Sequence, residues 1–384
     1  MNASMRGRVA VAGIAESDLG QMAAGTTPLD LMAQAATRAL ADAGLSLRDV
    51  DGLFVASAQV RFGPMMLAEY LGISPSCFDG TQIGGSSFMS HVAHAVQAIE
   101  AGVCQVALIA YGSTQRSVSR ATASRPDPNP YEDPFRPLLP VSAYALAASR
   151  HMHEYGTTRR HLAEVAVAAR QWALLNPKAW EKEPLSVEQV LSSRMVSEPL
   201  TVRDCCLVLD GGGAMVLTSA ALARSLRKPP VYVLGVGEAL GHGTISNMPE
   251  LTTTCAVQSG QSAFAMAGFG PADVDVLGLY DAFTITPILF LEDLGFCAKG
   301  EGGAFVADGA IAPGGRLPVN TNGGGLSYCH PGMYGLLAMI EIVRQIRGEC
   351  GVRQVASCDV GLAHGNGAVL SSQCTALFGS AGTL

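Results

Sequence analysis

The chain alternates short apolar runs with longer segments in which apolar residues recur every three or four positions. The apolar runs at 9–15, 106–112 and 207–219 have the length of buried strands. The segment at 159–175 has the period of an amphipathic helix. Strands that alternate with helices along a chain favour a sheet covered by helices. The pattern therefore predicts an α/β protein.

The start of the first predicted helix carries a full set of capping residues. Thr27 stands at the N-cap, Pro28 at the first helical position and Asp30 two positions later. A threonine cap and an acidic residue at the third helical position satisfy free amide groups reciprocally, and proline already has a helical φ. The sequence therefore predicts a helix that begins at Pro28.

The chain contains an internal repeat. Residues 39–53 read ALADAGLSLRDVDGL and residues 263–277 read AFAMAGFGPADVDVL, with eight identical positions at a constant offset of 224 residues. In each copy a helix ends at a glycine, Gly44 or Gly268, which suits a left-handed C-cap. A turn with aspartate and a strand follow, so the repeat predicts two related βα halves.

Each half also contains a glycine-rich turn before a predicted helix. GGSS at 84–87 precedes a helix at about 88–101, and GGG at 323–325 precedes a helix at about 332–347. Strands are predicted to follow at 353–361 and 365–373. Glycine-rich turns that open helices are typical of binding sites at helix N-termini. We therefore expect two helix N-termini to face each other near one site.

Different material separates the halves. Residues 113–141 are rich in serine, arginine and proline and predict a long loop, whereas 142–193 have a helical pattern. Long loops in compact domains are usually functional or disordered. We interpret 113–200 as an inserted loop domain that carries part of a substrate tunnel, within an N-terminal half of 1–225. The C-terminal half is predicted to span 226–384.

Composition narrows the class of protein. The 384 residues carry a formal charge of −7, and only 15% of them are charged. Low charge density argues against nucleic acid or a membrane surface as the main partner, and it predicts that apolar surface is hidden in a homo-oligomer. No apolar run has the length of a membrane span, and no export signal is evident. The ten cysteines include no CxxC pair, so we expect reduced thiols in a cytoplasmic protein without a metal site.

Five motifs carry a resemblance to a known superfamily: GGSSF at 84–88, DGGGA at 210–214, YDAFT at 280–284, NTNGGGLSYCHPGMYG at 320–335 and AHGNGAV at 363–369. With them the chain resembles the thiolases of the sterol carrier protein X branch, in particular the thiolase-fold aldolases that cleave steroid side-chain CoA thioesters. The resemblance covers nearly the whole chain. It implies a layered αβαβα core and a CoA thioester as substrate, with no cofactor.

The chain departs from ordinary thiolases at both cysteines of their mechanism. Gly85 stands where the resemblance places the nucleophilic cysteine, and a glycine cannot be a nucleophile. The stretch that matches the second cysteine contains His364, Gly365 and Asn366 instead. His330 is retained in a Cys-His-Pro motif. We expect Gly85 to leave room for a bulky substrate carbon.

The remaining chemical groups suit enolate chemistry. The resemblance places catalytic tyrosines in the YDAF segment and in the glycine-rich segment, so Tyr280 and Tyr328 are predicted to act as acid and base. His330 is predicted to stabilise the enolate oxygen. Which tyrosine is the acid stays open. His364, Gly85 and Asn322 are predicted to support the site.

Several residues have competing interpretations. Tyr334 competes with Tyr328 but has a packing position in a helix, and Asp281 is expected to bind backbone amides. Ser86 or Ser87 could replace the missing nucleophile, but no base is evident beside them. Cys329 next to His330 could form a catalytic pair, although neighbours in a turn usually point apart.

Three functions follow from these residues. The first is a carbon–carbon lyase that performs retro-aldol cleavage of a β-hydroxyacyl-CoA, with a steroid side chain as one candidate substrate. The second is an acyltransferase or retro-Claisen thiolase, and the third is a non-catalytic scaffold that binds acyl-CoA. The resemblance further implies a homodimer and a small partner protein with a zinc ribbon and an OB-fold.

Overall fold

The structure is a computed structural model that describes residues 5–118 and 129–384. Its strands are β1 (Val9–Glu16), β2 (Gly52–Val55), β3 (Cys77–Asp79), β4 (Val106–Ser113), β5 (Met195–Ser197), β6 (Leu200–Thr201), β7 (Gly211–Ser219), β8 (Val231–Leu240), β9 (Val276–Leu279), β10 (Val360–Gly367) and β11 (Ser372–Gly379).

The helices are α1 (Pro28–Ala43), α2 (Gly63–Leu71), α3 (Ser87–Glu100), α4 (Val141–Tyr155), α5 (Arg159–Leu174), α6 (Val187–Leu191), α7 (Ala220–Ala223), α8 (Ala256–Ala267), α9 (Ile285–Asp293), α10 (Gly302–Val306) and α11 (Gly335–Ile346). A short π-helical segment, Gly324–Tyr328, precedes α11. We call it the π-turn.

Nine strands are hydrogen-bonded to their neighbours in the order β3-β2-β4-β7-β1-β8-β11-β10-β9. The first five belong to the N-terminal half and the last four to the C-terminal half. Within this order the two halves meet where β1 pairs with β8, through Ala10↔Tyr232 and Val11↔Val231. Strands β5 and β6 form a separate small ladder.

Helices cover both faces of each group of strands. Helices α3 and α11 contact strands of both halves and therefore form a shared central layer. Helix α1 packs on β1, β4 and β7, and α8 packs on β8 and β11, which gives the two outer layers. This αβαβα order confirms the predicted layered α/β thiolase-type core.

The internal repeat corresponds to equivalent structural elements. Helix α1 begins with the predicted capping box at Thr27 and ends at Gly44, which has a φ of 78°. Helix α8 ends at Gly268 with a φ of 68°. Glycine adopts this left-handed conformation without a steric penalty. Strands β2 and β9 then begin at residues separated by the same 224 positions.

The predicted element boundaries near the C-terminus were wrong. Strand β10 starts at Val360 rather than at 353, and β11 starts at Ser372. The turn between them contains Ala368 and Leu370 with φ values of 51° and 58°. Non-glycine residues rarely adopt positive φ. The apolar residue types of this segment therefore predict a strand, although the segment forms a turn. The helix expected at 332–347 begins at Gly335.

The inserted segment lies between β4 and β7 and contains α4, α5 and α6. Helix α5 packs on the π-turn, and α4 packs on α9 of the C-terminal half. The insertion therefore covers the region just before α11. Part of the predicted loop at 113–141 lies outside the described residues.

Across residues 5–118 and 129–384, no helix has the length and apolar character needed to cross a membrane. In the same residues no group of three or more His, Cys, Asp or Glu side chains is placed to hold a metal ion. All ten cysteines lie in these residues and are free thiols.

Candidate active site

The turn before α3 is in close contact with the end of β9. Tyr280 follows β9, and a Cβ atom placed on Gly85 would overlap its ring. The same Cβ would lie 2.8 Å from the backbone oxygen of Asn366. The space at Gly85 is therefore filled by an aromatic ring. The expectation that the glycine leaves room for a substrate carbon is wrong, because Tyr280 occupies that room.

Two helix N-termini meet at this turn, as predicted. Helix α3 begins two residues after Gly85, and a Cβ on Gly335, the first residue of α11, would overlap the Gly85 carbonyl. Backbone amides at helix N-termini carry partial positive charge. The site can therefore stabilise an anionic oxygen without a charged side chain.

Tyr280 and His330 form a hydrogen-bonded pair. The Tyr280 hydroxyl lies 3.0 Å from His330 Nε2, and the two rings are nearly perpendicular at 84°. The Tyr334 amide donates to the Tyr280 oxygen at 3.2 Å. The Tyr280 hydroxyl also has the Gly332 carbonyl at 3.3 Å as a second acceptor.

Burial sets the charge state of this pair. Burial lowers the pKa of His330 to about 4, so the imidazole is neutral at pH 7. Burial also raises the pKa of Tyr280 well above its ordinary value; nearby Cys206 adds to the rise, and the Tyr334 amide opposes it. Tyr280 can donate to Nε2, or accept from Nε2–H while donating to Gly332. The two arrangements differ only in which ring donates the hydrogen bond, and both side chains stay neutral in each.

Asp281 holds the π-turn that precedes His330. Its carboxylate accepts hydrogen bonds from the Gly325 amide at 2.6 Å and the Leu326 amide at 3.2 Å, as predicted. Burial raises the pKa of Asp281 to about 7, against the lowering effect of these amides. Gly324 has a φ of 64°, and a Cβ there would overlap the Asp281 carboxylate. The turn therefore requires glycine at this position.

Tyr328 has a different hydrogen-bond partner. Its hydroxyl donates to Glu16 at 3.1 Å, and Glu16 is paired with Arg344 at 2.7 Å and Lys178 at 3.0 Å. Among the described residues no hydrogen bond joins Tyr328 to Tyr280 or His330. The structure thus brings together Tyr280, His330 and Gly85, whereas the Tyr328 hydroxyl is held by a buried ion pair.

Asn322 is hydrogen-bonded to the Tyr334 side chain. The Tyr334 hydroxyl donates to Asn322 Oδ1 at 2.9 Å, and the Gly324 amide donates to the same oxygen at 2.8 Å. Asn322 therefore links the π-turn to the start of α11. Because the Tyr334 amide contacts Tyr280, this link helps to fix the Tyr280 hydroxyl.

The His364 side chain does not contact the Tyr280–His330 pair. It lies between Thr375 and Gln373, at 2.9 Å from each. Its backbone oxygen accepts from the Tyr280 amide at 3.1 Å. His364 therefore supports the site through the strand rather than through its ring.

The side chains of the candidate replacement nucleophiles either bond to nearby backbone carbonyls or are buried. Ser86 Oγ bonds to the Ile83 carbonyl at 2.9 Å, and Ser87 Oγ bonds to the Gly84 carbonyl at 2.7 Å. Cys329 is buried, and burial raises its pKa. Neither serine nor this thiol has a histidine hydrogen-bonded to it in the described residues. Nothing in this group resembles an activated nucleophile.

Sequence reasoning missed Tyr144 of α4. Its ring centroid lies 4.4 Å from that of Phe283, and its hydroxyl accepts from Asn366 at 2.7 Å. Burial raises the pKa of Tyr144 to about 12. Tyr144 stands in an alanine-rich helical segment without a motif, so only the packing of the inserted helix could reveal it.

A cavity of about 580 Å³ lies between the inserted segment and the loop after β8. Its lining comes from 131–150 and 245–251 and includes Ser142, Ala143 and Leu146 of α4. Tyr280 and His330 are not part of the lining. Helix α4 lines the cavity and also contributes Tyr144, whose ring packs on Phe283, three residues after Tyr280.

The contact between Gly85 and Tyr280 predicts that a side chain at position 85 destabilises the fold. Gly85→Ala should lower the free energy of unfolding by about 1–3 kcal/mol, because overpacking must displace the Tyr280 ring. Gly270→Ala is a matched control, since its new Cβ would have one neighbouring atom at 3.8 Å. Urea unfolding measures both variants. Equal stability of Gly85→Ala and Gly270→Ala would contradict the close contact.

Because the imidazoles of His330 and His364 are buried, we expect both to gain a proton only at low pH. Burial lowers the pKa of both His330 and His364 to about 4. Nitrogen NMR of histidine-labelled protein should therefore show both rings neutral from pH 8 down to about 5, below the usual midpoint near 6.5. His330→Asn and His364→Asn assign the signals. A His330 midpoint near 6.5 would show that this ring is hydrated rather than buried.

The comparisons with known proteins agree with this fold. Residues 237–380 match the family model described as thiolase C-terminal domain-like. The chain is 35% identical over 366 residues to the 17-hydroxy-3-oxo-4-pregnene-20-carboxyl-CoA lyase of Mycobacterium tuberculosis, covering 90% of this chain and 92% of that protein. It is 33% identical over 372 residues to the acetyl-CoA acetyltransferase of Methanothermobacter thermautotrophicus, covering 94% and 96%.

One solved structure has the same fold over nearly the whole length of this chain. The structure described as an Ltp2-ChsH2(DUF35) aldolase has a TM-score of 0.89 and 33% sequence identity, and the match covers 98% of both chains. Identity above 30% over nine-tenths of the chain, together with the αβαβα core, identifies the family. The chain belongs to the thiolase superfamily.

Proposed function

We propose that the chain is an acyl-CoA carbon–carbon lyase that performs retro-aldol cleavage of a β-hydroxyacyl-CoA. The observation that carries the proposal is the Tyr280 ring packed on Gly85, with its hydroxyl 3.0 Å from a buried neutral His330. An acid–base pair stands where the resemblance places a covalent nucleophile. The similarity to a pregnene-carboxyl-CoA lyase supports a steroid side chain as the substrate.

In this mechanism the Tyr280–His330 pair accepts the proton of the substrate β-hydroxyl. The Cα–Cβ bond breaks, its electron pair forms a thioester enolate, and the β-carbon leaves as a ketone. Backbone amides at the N-termini of α3 and α11 stabilise the enolate oxygen. A proton returned to the α-carbon completes an acyl-CoA product. The reaction needs no covalent intermediate and no free CoA.

An acyltransferase is the second candidate, because an acetyl-CoA acetyltransferase is 33% identical over 94% of the chain. That reaction requires a nucleophile that becomes acylated. The geometry of Ser86, Ser87 and Cys329 disfavours it, since their side chains are engaged locally or buried.

Access to the site is proposed along α4. The cavity at 131–150 and 245–251 is large enough for an acyl-CoA segment, with a volume of about 580 Å³. Tyr131 and Phe135 at its rim are more than four-fifths exposed. Exposed aromatic side chains are typical of binding surfaces.

We propose that a small zinc-ribbon and OB-fold partner works with the chain, since the similar Ltp2-ChsH2(DUF35) aldolase is named for two proteins.

Tyr280→Phe and Tyr328→Phe form a matched pair of tests. Both keep the ring and lose one hydroxyl. Tyr280→Phe should lower kcat for cleavage by about 10²–10⁴-fold, the usual contribution of a positioned acid or base. Tyr328→Phe should lower stability by about 1–3 kcal/mol, because Glu16 loses a buried hydrogen bond, with kcat changed little.

The assay contains the partner protein and a β-hydroxyacyl-CoA with a tertiary hydroxyl, and product formation is followed by mass spectrometry. A wild-type rate for Tyr280→Phe would refute the proposed base. A loss of about 10²-fold or more in Tyr328→Phe without loss of stability would assign the acid–base role to Tyr328.

We also propose a homodimer built on the exposed edge of the sheet. In the described residues β3 stands at one end of the strand order, and its Phe78 is 70% exposed. Phe62 and Met65, at the start of α2, are each 60% exposed. An unpaired edge beside large apolar side chains is suited to pairing with a second copy.

Light scattering at micromolar concentration should give twice the 39.7 kDa mass of one chain. Phe78→Lys should shift the mass toward the monomer, because a charge at the edge opposes pairing. A wild-type monomer would contradict the dimer, and a Phe78→Lys dimer would place the interface elsewhere.

A further inference from the structure

The inserted segment is hydrogen-bonded to the backbone of the π-turn. The Glu181 amide donates to the Ser327 carbonyl at 3.1 Å, and the Trp180 amide donates to the Tyr328 carbonyl at 3.1 Å. Both donors belong to the loop that follows α5. Because Ser327 and Tyr328 lie just before His330 in the chain, this loop is bonded to the backbone that leads to the imidazole.

Arg170 joins α5 to the same turn through its side chain. It is only 3% exposed. Its Nε donates to Ser327 Oγ at 3.0 Å, and its Nη1 donates to the Glu183 carbonyl at 2.7 Å. Its Nη2 lies 3.0 Å from a carboxylate oxygen of Glu181. Each nitrogen of the guanidinium therefore has its own acceptor.

The contacts of Arg170 close a ring around Ser327. Arg170 bonds to the Ser327 hydroxyl and to the Glu181 carboxylate, while the Glu181 amide bonds to the Ser327 carbonyl. Ser327 is thus held at its side chain and at its backbone. The guanidinium is a rigid planar fork, so its bonds fix direction as well as distance. Movement of the π-turn away from α5 would break this ring.

The inserted segment also contacts the chain just before the π-turn. Gly323 has a φ of 103°, and a Cβ placed there would lie 2.6 Å from the Ala173 side chain of α5. Asn176 Nδ2 donates to the Asn322 carbonyl at 2.9 Å. Helix α5 and its loop therefore pack along the turn with no space between them at Gly323.

The position of the π-turn determines the position of His330. The turn ends at Tyr328, two residues before His330, whose Nε2 lies 3.0 Å from the Tyr280 hydroxyl. A shift of the turn would lengthen this hydrogen bond and admit water to the buried imidazole. A displacement of about 1 Å in a catalytic group can cost about 10²-fold in rate. The bonds that hold the turn are therefore relevant to catalysis.

We propose that Arg170 is a positioning residue for His330, which fixes the π-turn so that the imidazole stays buried and bonded to Tyr280. Within residues 5–118 and 129–384 no hydrogen bond joins Arg170 to Tyr280 or His330, so it acts through Ser327. Buried ion pairs add little net stability, because desolvation offsets their attraction. The directional bonds to the turn are thus the main contribution of Arg170. Its effect on catalysis rests on the proposed lyase function, whereas its effect on the imidazole does not.

The test removes the contact from both sides. Arg170→Met and Ser327→Ala each delete one partner, and Arg170→Lys keeps a charge beside Glu181 without the planar fork. Arg160→Met on the same helix is the control, because the Arg160 side chain is 62% exposed and its acidic neighbours lie 3.8 Å or more away. Nitrogen NMR of the histidine-labelled full chain gives the titration midpoint of His330. Thermal unfolding shows which variants are folded.

The His330 midpoint should rise in Arg170→Met from about 4 toward the unperturbed value near 6.5, because a displaced ring is hydrated. Arg170→Lys and Ser327→Ala should give smaller rises, and Arg160→Met should keep the wild-type midpoint. In the cleavage assay with the partner protein, Arg170→Met should lower kcat by about 10- to 10²-fold with KM little changed. Arg160→Met should retain the wild-type kcat.

A wild-type His330 midpoint in the folded Arg170 variants would overturn the inference, and so would an equal rise in Arg160→Met. A rise in Ser327→Ala alone would also overturn it, since the serine would then hold the turn without the arginine. If Arg170→Met does not fold, Arg170→Lys and Ser327→Ala decide by the same criterion. A wild type that does not cleave a β-hydroxyacyl-CoA would refute the lyase proposal, while the NMR result still decides the role of Arg170. A raised midpoint with wild-type kcat would confirm the positioning and contradict the part of His330 in the reaction.

Discussion

The contact between Gly85 and the Tyr280 ring is the constraint on which the site depends. No side chain fits at residue 85, because the ring and the Asn366 carbonyl occupy the space above the turn. The start of α11 presses on the same turn from another direction, since Gly335 lies against the Gly85 carbonyl. Glycines at two contacts therefore let two helix N-termini and the Tyr280 ring share one small volume.

The second condition is the absence of charge on the Tyr280–His330 pair. Tyr280 and His330 are both neutral because burial raises one pKa and lowers the other. A buried charge would require a partner, and none of the described ionisable side chains is hydrogen-bonded to this pair. The ion pairs of the region are placed at Glu16, where they hold the π-turn through Tyr328. Charged groups thus support the scaffold while neutral donors and acceptors form the site.

Much of the fold could be predicted from local chemistry. The capping box at Thr27 and the terminal glycines Gly44 and Gly268 were confirmed, because each residue acts within its own turn. The β10–β11 boundary was wrong, since Ala368 and Leu370 adopt positive φ that their residue types do not indicate. The site was predictable only where a motif marks it, as at Tyr280 and His330. The direction of Tyr328 and the position of Tyr144 depend on tertiary packing, which residue spacing does not contain.

We propose that carbon–carbon cleavage proceeds through a tyrosine–histidine pair without a covalent intermediate. The most direct measurement is rapid quenching of the enzyme with its partner and a β-hydroxyacyl-CoA, followed by intact-protein mass spectrometry and product analysis. The account predicts equal amounts of ketone and acyl-CoA, no increase in protein mass and no requirement for free CoA. An acyl adduct on the chain, or cleavage that depends on added CoA, would contradict it.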